Sequence, residues 1–364
     1  LFLIVFNLSQ AKGRTMQNHK KNITSACTPK EYAFQKACYK KICFFLLCLL
    51  FCFFSCHNAR GRQTKMISKR NHLYAGSFYS ADKQKLKSEI NDFIAAAKTD
   101  ARKKAEILKK TDDPALPAYP NALIVPHAGY IYSGKAAAAA YSLIKNAPFT
   151  RVILIGPHHR VSIRGFSIMP VQNYTTPLGT VLVDSLAHKW LEKGLFSSCT
   201  DQDHCLEVQL PFLQECLKNN FTIIPVLAGY CDDDDLGKAV DVISPAIDKN
   251  TLLVISTDFI HYGPRFNYMP FGNNPEIYME KIKSTDLQAF EYIKKGDYKN
   301  LKNFFTVHDP TICGKYGLML FSKLVKLKSS DPLLLDYYTS AQVSGDTQNT
   351  VSYLSARAFF KHED

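Results

Sequence analysis

Four stretches of this chain are aliphatic without alternation: "NALIVPHAGY", "RVILIGPHHR", "FTIIPVLAGY" and "TLLVISTDFIHYG". A strand with one wet face alternates apolar and polar residues, so runs like these must be covered on both faces. Between them lie segments with helical spacing. "SGKAAAAAYSLI" is one. "DQDHCLEVQLPFLQECL" is a loop entering a helix through Leu206, Leu210 and Leu213. "DDDDLGKAVDVISPAI" has acids in its first turn, where they offset the helix dipole. Strand and helix alternate, so the expected fold class is α/β, with a mostly parallel central sheet flanked by helices. Upstream, "SADKQKLKSEINDFIAAA" predicts a helix capped by Ser80, with Leu86, Ile90, Phe93 and Ile94 at helical spacing. Residues 99–120 read as an exposed connector punctuated by Pro114, Pro117 and Pro120. Further on, "TDLQAFEYIKKGD" and "GKYGLMLFSKLVKL" read as helices. "PLLLDYYTSAQVSG" and "TVSYLSARAFF" read as strands, with an antiparallel pairing open to them.

The net charge of +13 suggests a polyanion partner until it is mapped. Residues 1–70 hold 13 of the 45 Lys/Arg and one acid, Glu31, leaving 32 Lys/Arg against 31 Asp/Glu in the rest. The body is electrically balanced, so no nucleic-acid partner is expected. Six of the eleven cysteines (Cys27, Cys38, Cys43, Cys48, Cys52, Cys56) fall in the same leading segment, and no CxxC pair exists. That argues against a disulfide framework or a zinc ribbon.

The leader has its own pattern. Lys40 and Lys41 precede thirteen apolar residues, Ile42 to Phe54, too few for a spanning helix of about 20 residues but suited to the core of a secretory signal. Ser55 and Cys56 follow, as at a lipoprotein cleavage site. Residues 1–70 are therefore expected to be a signal, lipoprotein or anchor segment with its tether, and 71–364 a single α/β domain. The implied location is a membrane-anchored lipoprotein facing the periplasm or cell exterior, attached through the N-terminal segment. The alternative is a cytoplasmic protein whose start lies downstream of Leu1, because Arg60, Arg62, Lys65, Lys69 and Arg70 would resist export.

In open α/β sheets, ligands sit beyond the carboxyl ends of the strands. Three of the aliphatic runs end in histidine there: His127, His159 and His261. Neutral imidazole is a common ligand for iron, copper and zinc. Three ligands with open positions mark a catalytic rather than a structural site. His127 and His159 could supply two, and Asp258, Glu207 and Cys313 all qualify as the third. Cys313 also admits a nucleophilic reading, since it precedes a glycine and a predicted helix. His308 lies near it in an expected loop. The chain has no Walker A loop, GxGxxG, HExxH or GxSxG, so nucleotide binding and the common hydrolase mechanisms lose support. The "DDDD" run reads as a solvated helix start, not a calcium loop. His158 and His188 read as surface or supporting groups. Cys199, Cys205, Cys216 and Cys231 read as small apolar packing.

From about His72 onward the chain resembles the MEMO family, whose bacterial members are called AmmeMemoRadiSam system protein B. The resemblance rests on "AGSFYSAD", "VPHAGYIYSG", "LIGPHH", "TPLGTVLVD", "DHCLEVQLPFL", "IIPVLAG", "STDFIHYG" and "TICGKYG", in that order. It implies a fold like that of class III extradiol dioxygenases (LigB-like), in which two histidines and a glutamate hold Fe(II), whereas the MEMO family places a cysteine in the carboxylate's role. Carried over by motif, the implied metal ligands are His127, His159 and Cys313. His261 and Asp258 line the same pocket, His204 and Glu207 belong to a further motif near it, and these four are the implied catalytic residues. Many members read GPSHH where this chain reads GPHHR, which leaves His158 where serine is usual. The resemblance implies iron or copper as cofactor and redox chemistry, dioxygenase-like, on an unknown small substrate. Its animal members imply, as the alternative, a non-catalytic module binding a peptide or small ligand. In the enzyme reading His261 serves as acid/base, with Asp258 orienting it or tuning its pKa.

Overall fold

The structure, a computed structural model, describes residues 66–98, 116–200 and 202–361. The signal and lipidation reading of Ile42 to Cys56 lies outside these residues, as does most of the 99–120 connector. Among the described residues no helix is long and apolar enough to cross a membrane.

The aliphatic runs form the middle of an eleven-stranded sheet. Its strands are β1 (Ala122–Val125), β2 (Arg151–Pro157), β3 (Phe166–Ile168), β4 (Asn173–Thr176), β5 (Gly179–Val183), β6 (Ser197–Ser198), β7 (Thr222–Ala228), β8 (Thr251–Ser256), β9 (His261–Tyr262), β10 (Leu333–Thr339) and β11 (Thr350–Ala358). The main path runs β10-β11-β1-β8-β2-β7-β3-β6. Its centre, β1-β8-β2-β7, is wholly parallel. The margins are mixed: β11 runs antiparallel to β1 and β10, and β3 runs antiparallel to β7. Every residue of β1 and β8 is buried. Successive strand residues point to opposite faces, so unbroken burial means both faces are covered.

Among the described residues the longer helices are α1 (Lys83–Lys98), α2 (Tyr130–Tyr141), α3 (Ser185–Glu192), α4 (Leu210–Cys216), α5 (Asp233–Ile243), α6 (Pro275–Lys294), α7 (Tyr298–His308) and α8 (Lys315–Leu327). Helices α1, α2 and α4 pack together, with α2 on β1, β10 and β11. Helices α5 to α8 form a second group, with α8 on β2 and β8. Leu86, Ile90 and Ile94 of α1 are buried as their spacing requires, each worth about 1.5–3 kcal/mol of burial. The cap of α1 differs from the expected one. Asp82 accepts from the Lys85 N–H (2.8 Å), while the Ser80 hydroxyl accepts from the Asp82 N–H (3.2 Å). The "DDDD" run is a helix start, closed by a capping box between Asp232 and Asp235. His308, expected in a loop, is the last residue of α7.

The fold starts slightly before the expected boundary at residue 71. Ile67 pairs with Val171 and Arg70 with Tyr174, which lays residues 66–71 alongside β4.

Candidate metal centre

Parallel β1, β8 and β2 are neighbours, so their carboxyl ends lie level: Val125 pairs with Ser256, and Ile155 with Ile255. His127 and His159 each sit two residues past β1 and β2, and Thr257 and Asp258 follow β8 directly. Cys313 arrives from the other direction, just ahead of α8. One ligand atom from each of His127, His159 and Cys313 can be chosen so that all lie within 4.8 Å of one another. Cys313 Sγ is 3.2 Å from His127 Nε2. One ion with bonds of about 2.0–2.3 Å could gather the three with small adjustments.

The hydrogen bonds around His127 fix its tautomer. The Pro126 carbonyl can only accept, so the Gln209 amide nitrogen faces it (2.9 Å), and Gln209 Oε1 accepts from the Tyr141 hydroxyl. The same nitrogen donates to Ser256 Oγ (2.9 Å), and the Ser256 proton goes to the Cys205 carbonyl (2.6 Å). Ser256 can therefore only accept from His127 Nδ1, 3.0 Å away. The proton is on Nδ1, and bare Nε2 faces the sulfur. Burial, then neighbouring His159 and His204, hold the His127 pKa well below its ordinary value, so the ring is neutral, the form in which imidazole can ligate a metal.

His159 is oriented by Asp203, whose two oxygens accept from its backbone N–H (2.6 Å) and from Nδ1 (2.9 Å). Burial would lower the pKa of His159, but Asp203 and Cys313 reverse this and push it up to about 10. Asp203 is fully buried. Burial alone would raise its carboxyl, and His159 and His204 instead hold it well below the usual carboxylate range. Asp203 Oδ1 also meets His204 Nδ1 at 3.1 Å. The His204 ring stacks on His159 at 4.9 Å and meets His127 edge-on at 5.2 Å. The His159 side chain is about a third exposed (32%), so the centre opens on that side.

Cys313 Sγ accepts from the Asp258 N–H (3.2 Å), and the Thr257 hydroxyl lies 3.7 Å away. The Asp258 carboxylate accepts from the His127 backbone N–H (2.7 Å). Burial pushes its pKa up, against the pull of His261 and that N–H. His261 is held differently from expectation. Its Nδ1 faces the carbonyls of Phe259 (3.0 Å) and Thr311 (2.9 Å), so these orient the ring, and Asp258 makes no hydrogen bond to it.

Glu207 is occupied by hydrogen bonds to neighbouring residues. Its oxygens accept from Arg70 (2.6 Å), from the backbone N–H groups of Leu73 and Tyr74, and from the Tyr79 hydroxyl (2.7 Å). It anchors residues 70–79 beside the centre. His158 braces a turn, and His188 Nε2 faces the Val171 carbonyl (3.1 Å). Of the four cysteines read as packing, Cys205, Cys216 and Cys231 are buried and Cys199 is partly so.

Sequence reasoning missed Asp203, Ser256 and Gln209. The signal for Asp203 was a carboxylate directly before His204. Ser256 and Gln209 carried none beyond proximity to the motifs.

The family described as Memo-like protein matches residues 70–357. A MEMO1 family protein of Thermococcus onnurineus is 34% identical over 250 residues, covering 64% of this chain and 84% of its own. Protein MEMO1 of Xenopus laevis is 30% identical over 298 residues, covering 78% of this chain and 95% of its own. A match over residues 70–357, a span that includes His127, His159, Asp258 and Cys313, establishes that the chain belongs to the Memo-like family.

Proposed function

We propose that this chain is a metal-dependent redox protein, dioxygenase-like, in which His127, His159 and Cys313 hold one iron or copper ion and a small substrate enters on the His159 side. The observation that carries this is the pair of pre-set tautomers. Both histidines have Nδ1 committed to a partner, Ser256 and Asp203, so an ion would bind each at Nε2, which is bare in His127 and in His159 gives up the proton that Asp203 and Cys313 favour in the ion's absence. Two nitrogens and a sulfur suit iron or copper, and hard oxygen-seeking ions would not choose them. When bound, such an ion supplies open coordination positions and one-electron redox chemistry.

The chain's own residues do the rest. Asp258 fixes the backbone of His127 and, through its own N–H, the sulfur of Cys313. His261, with Nδ1 held by two carbonyls, exchanges protons at Nε2. His204 stacks on His159 and shares its carboxylate, so it supports the ligand ring and the wall of the substrate space. Cys56, if lipidated, would tether this domain to a membrane. Incorporation of labelled fatty acid, lost in Cys56→Ala, is the test.

Metal analysis of protein purified without oxygen tests the central reading. Stoichiometric iron or copper is expected in the wild type and lost in His127→Ala and Cys313→Ala. Full metal content in both variants would overturn it. Metal-free wild type that still binds a small acid or peptide would favour a non-catalytic binding module.

A further inference from the structure

Arg160 directly follows His159, on the open side of the centre, and is exposed. An exposed arginine is ordinarily free to move, but this one is held from two directions. His158 Nδ1 accepts from the backbone N–H groups of Arg160 (3.3 Å) and Val161 (3.0 Å), and its Nε2 faces the Thr200 carbonyl (3.2 Å). The imidazole therefore braces the turn that carries both His159 and Arg160. The guanidinium is fixed separately. Its Nε and Nη2 both donate to the Tyr74 hydroxyl, at 3.1 and 2.7 Å, and it lies over the Tyr74 ring at 5.9 Å. The Tyr74 hydroxyl gives its own proton to the Gln202 carbonyl (2.7 Å), so toward Arg160 it only accepts. The Tyr74 ring packs against His204 at 5.5 Å, and His204 stacks on His159. Arg160 is thus linked to the candidate centre through Tyr74 and His204.

Among the described residues this guanidinium has no counter-ion. Arg70 pairs with Glu207, Arg151 with Asp184 and Asp248, and Arg164 with Asp232 and Asp235. Among the described residues no carboxylate pairs with Arg160. Its outer N–H groups remain for a ligand, in the planar fork that recognises carboxylate and phosphate. We infer that Arg160 is the specificity-determining residue of this site, and that the ligand is a small acid whose carboxylate or phosphate docks on Arg160 beside the ion. The inference rests on the proposed metal-centre reading for what the rest of that ligand reaches.

The test compares wild type, Arg160→Gln and Arg160→Lys, copper-loaded and metal-free, by calorimetric titration with inorganic phosphate and with succinate. Metal content is measured on each protein. Wild type is expected to bind at least one of the two anions, and the preferred one identifies the class. Arg160→Gln should bind roughly tenfold or more weakly at unchanged metal content. Arg160→Lys should fall between, keeping the charge without the fork. Equal binding by wild type and Arg160→Gln, or no binding of either anion by wild type, overturns the inference. If no protein takes up metal but Arg160-dependent anion binding persists, the metal reading fails and the anion site stands.

Discussion

Asp203 grips His159 at two points, the backbone N–H at 2.6 Å and ring Nδ1 at 2.9 Å. One bond alone would let the ring pivot; two set both the position of the loop and the plane of the imidazole. Carboxylates in this position typically contribute 10–100-fold to metal affinity, through orientation and ligand basicity. Asp203→Ala is therefore expected to weaken metal binding by about that factor. Asp203→Asn should lose less, because its amide oxygen can still accept from Nδ1. Competition against a chromogenic chelator measures both. Unchanged affinity in Asp203→Ala would mean that the carboxylate does not set the ligand.

Asp286 should make stability fall with rising pH. It is fully buried in α6 and accepts from the Ile260 N–H, the Tyr337 hydroxyl and the Ser352 hydroxyl. Burial pushes its pKa up to about 7, and those three donors only partly oppose it. A carboxyl whose folded pKa is raised binds its proton more tightly folded than unfolded. Its stabilising contribution is complete below the unfolded value near 4 and is lost as pH climbs through 7. Denaturant melts from pH 4 to pH 8 should show this decline, a few kcal/mol, against Asp286→Asn, in which the slope flattens. Parallel curves for the two proteins would exclude it.

The centre was only partly legible from the chain. His127 and His159 were readable because each lies two residues past an unbroken aliphatic run, and parallel strands put such ends on one edge. The third ligand was not, since Cys313 is 186 residues from His127 and spacing alone left Asp258 and Glu207 equally eligible. Family resemblance named it, and the approach of its sulfur to His127 supports the choice. Asp203 was hidden because an acid beside a histidine is common, and only the fold shows which ring it serves. Strands β3 and β6 span three and two residues, too short to carry a period. Helix α7 was there to be read: Leu301, Phe304 and Phe305 are its buried face, and Asp297 accepts from the Asn300 N–H at its start.

Glu207 is expected to matter for stability more than for proton transfer. Its pair with Arg70 is almost wholly removed from solvent, with side chains 0% and 3% exposed. Removing one member of a buried pair strands the other charge, at a cost of about 3–5 kcal/mol. Glu207→Ala also frees the backbone N–H groups of Leu73 and Tyr74. Thermal melts should place Glu207→Ala well below wild type, with proteolysis beginning in residues 70–79. Wild-type stability combined with altered proton chemistry would return Glu207 to the catalytic group.

Gly314 lets Cys313 come close to His127. A Cβ at that position would lie 2.4 Å from both Cβ and Oγ1 of Thr257, closer than such atoms approach. Its φ of −90° is ordinary, so the requirement is for space and not for backbone freedom. The Gly314 N–H donates to Thr257 Oγ1 (3.0 Å), which draws the start of α8 onto the end of β8. Gly314→Ala should push that start outward and carry the Cys313 sulfur away from His127. The expected result is a folded protein with weakened metal binding, because the clash is local and α8 keeps its buried face. Thr257→Gly in the same chain removes the obstructing atoms and should restore part of the affinity, as expected for residues in direct contact. Chelator competition on the two single variants and the double variant reads that coupling. Strict additivity would mean that the contact does not control the sulfur.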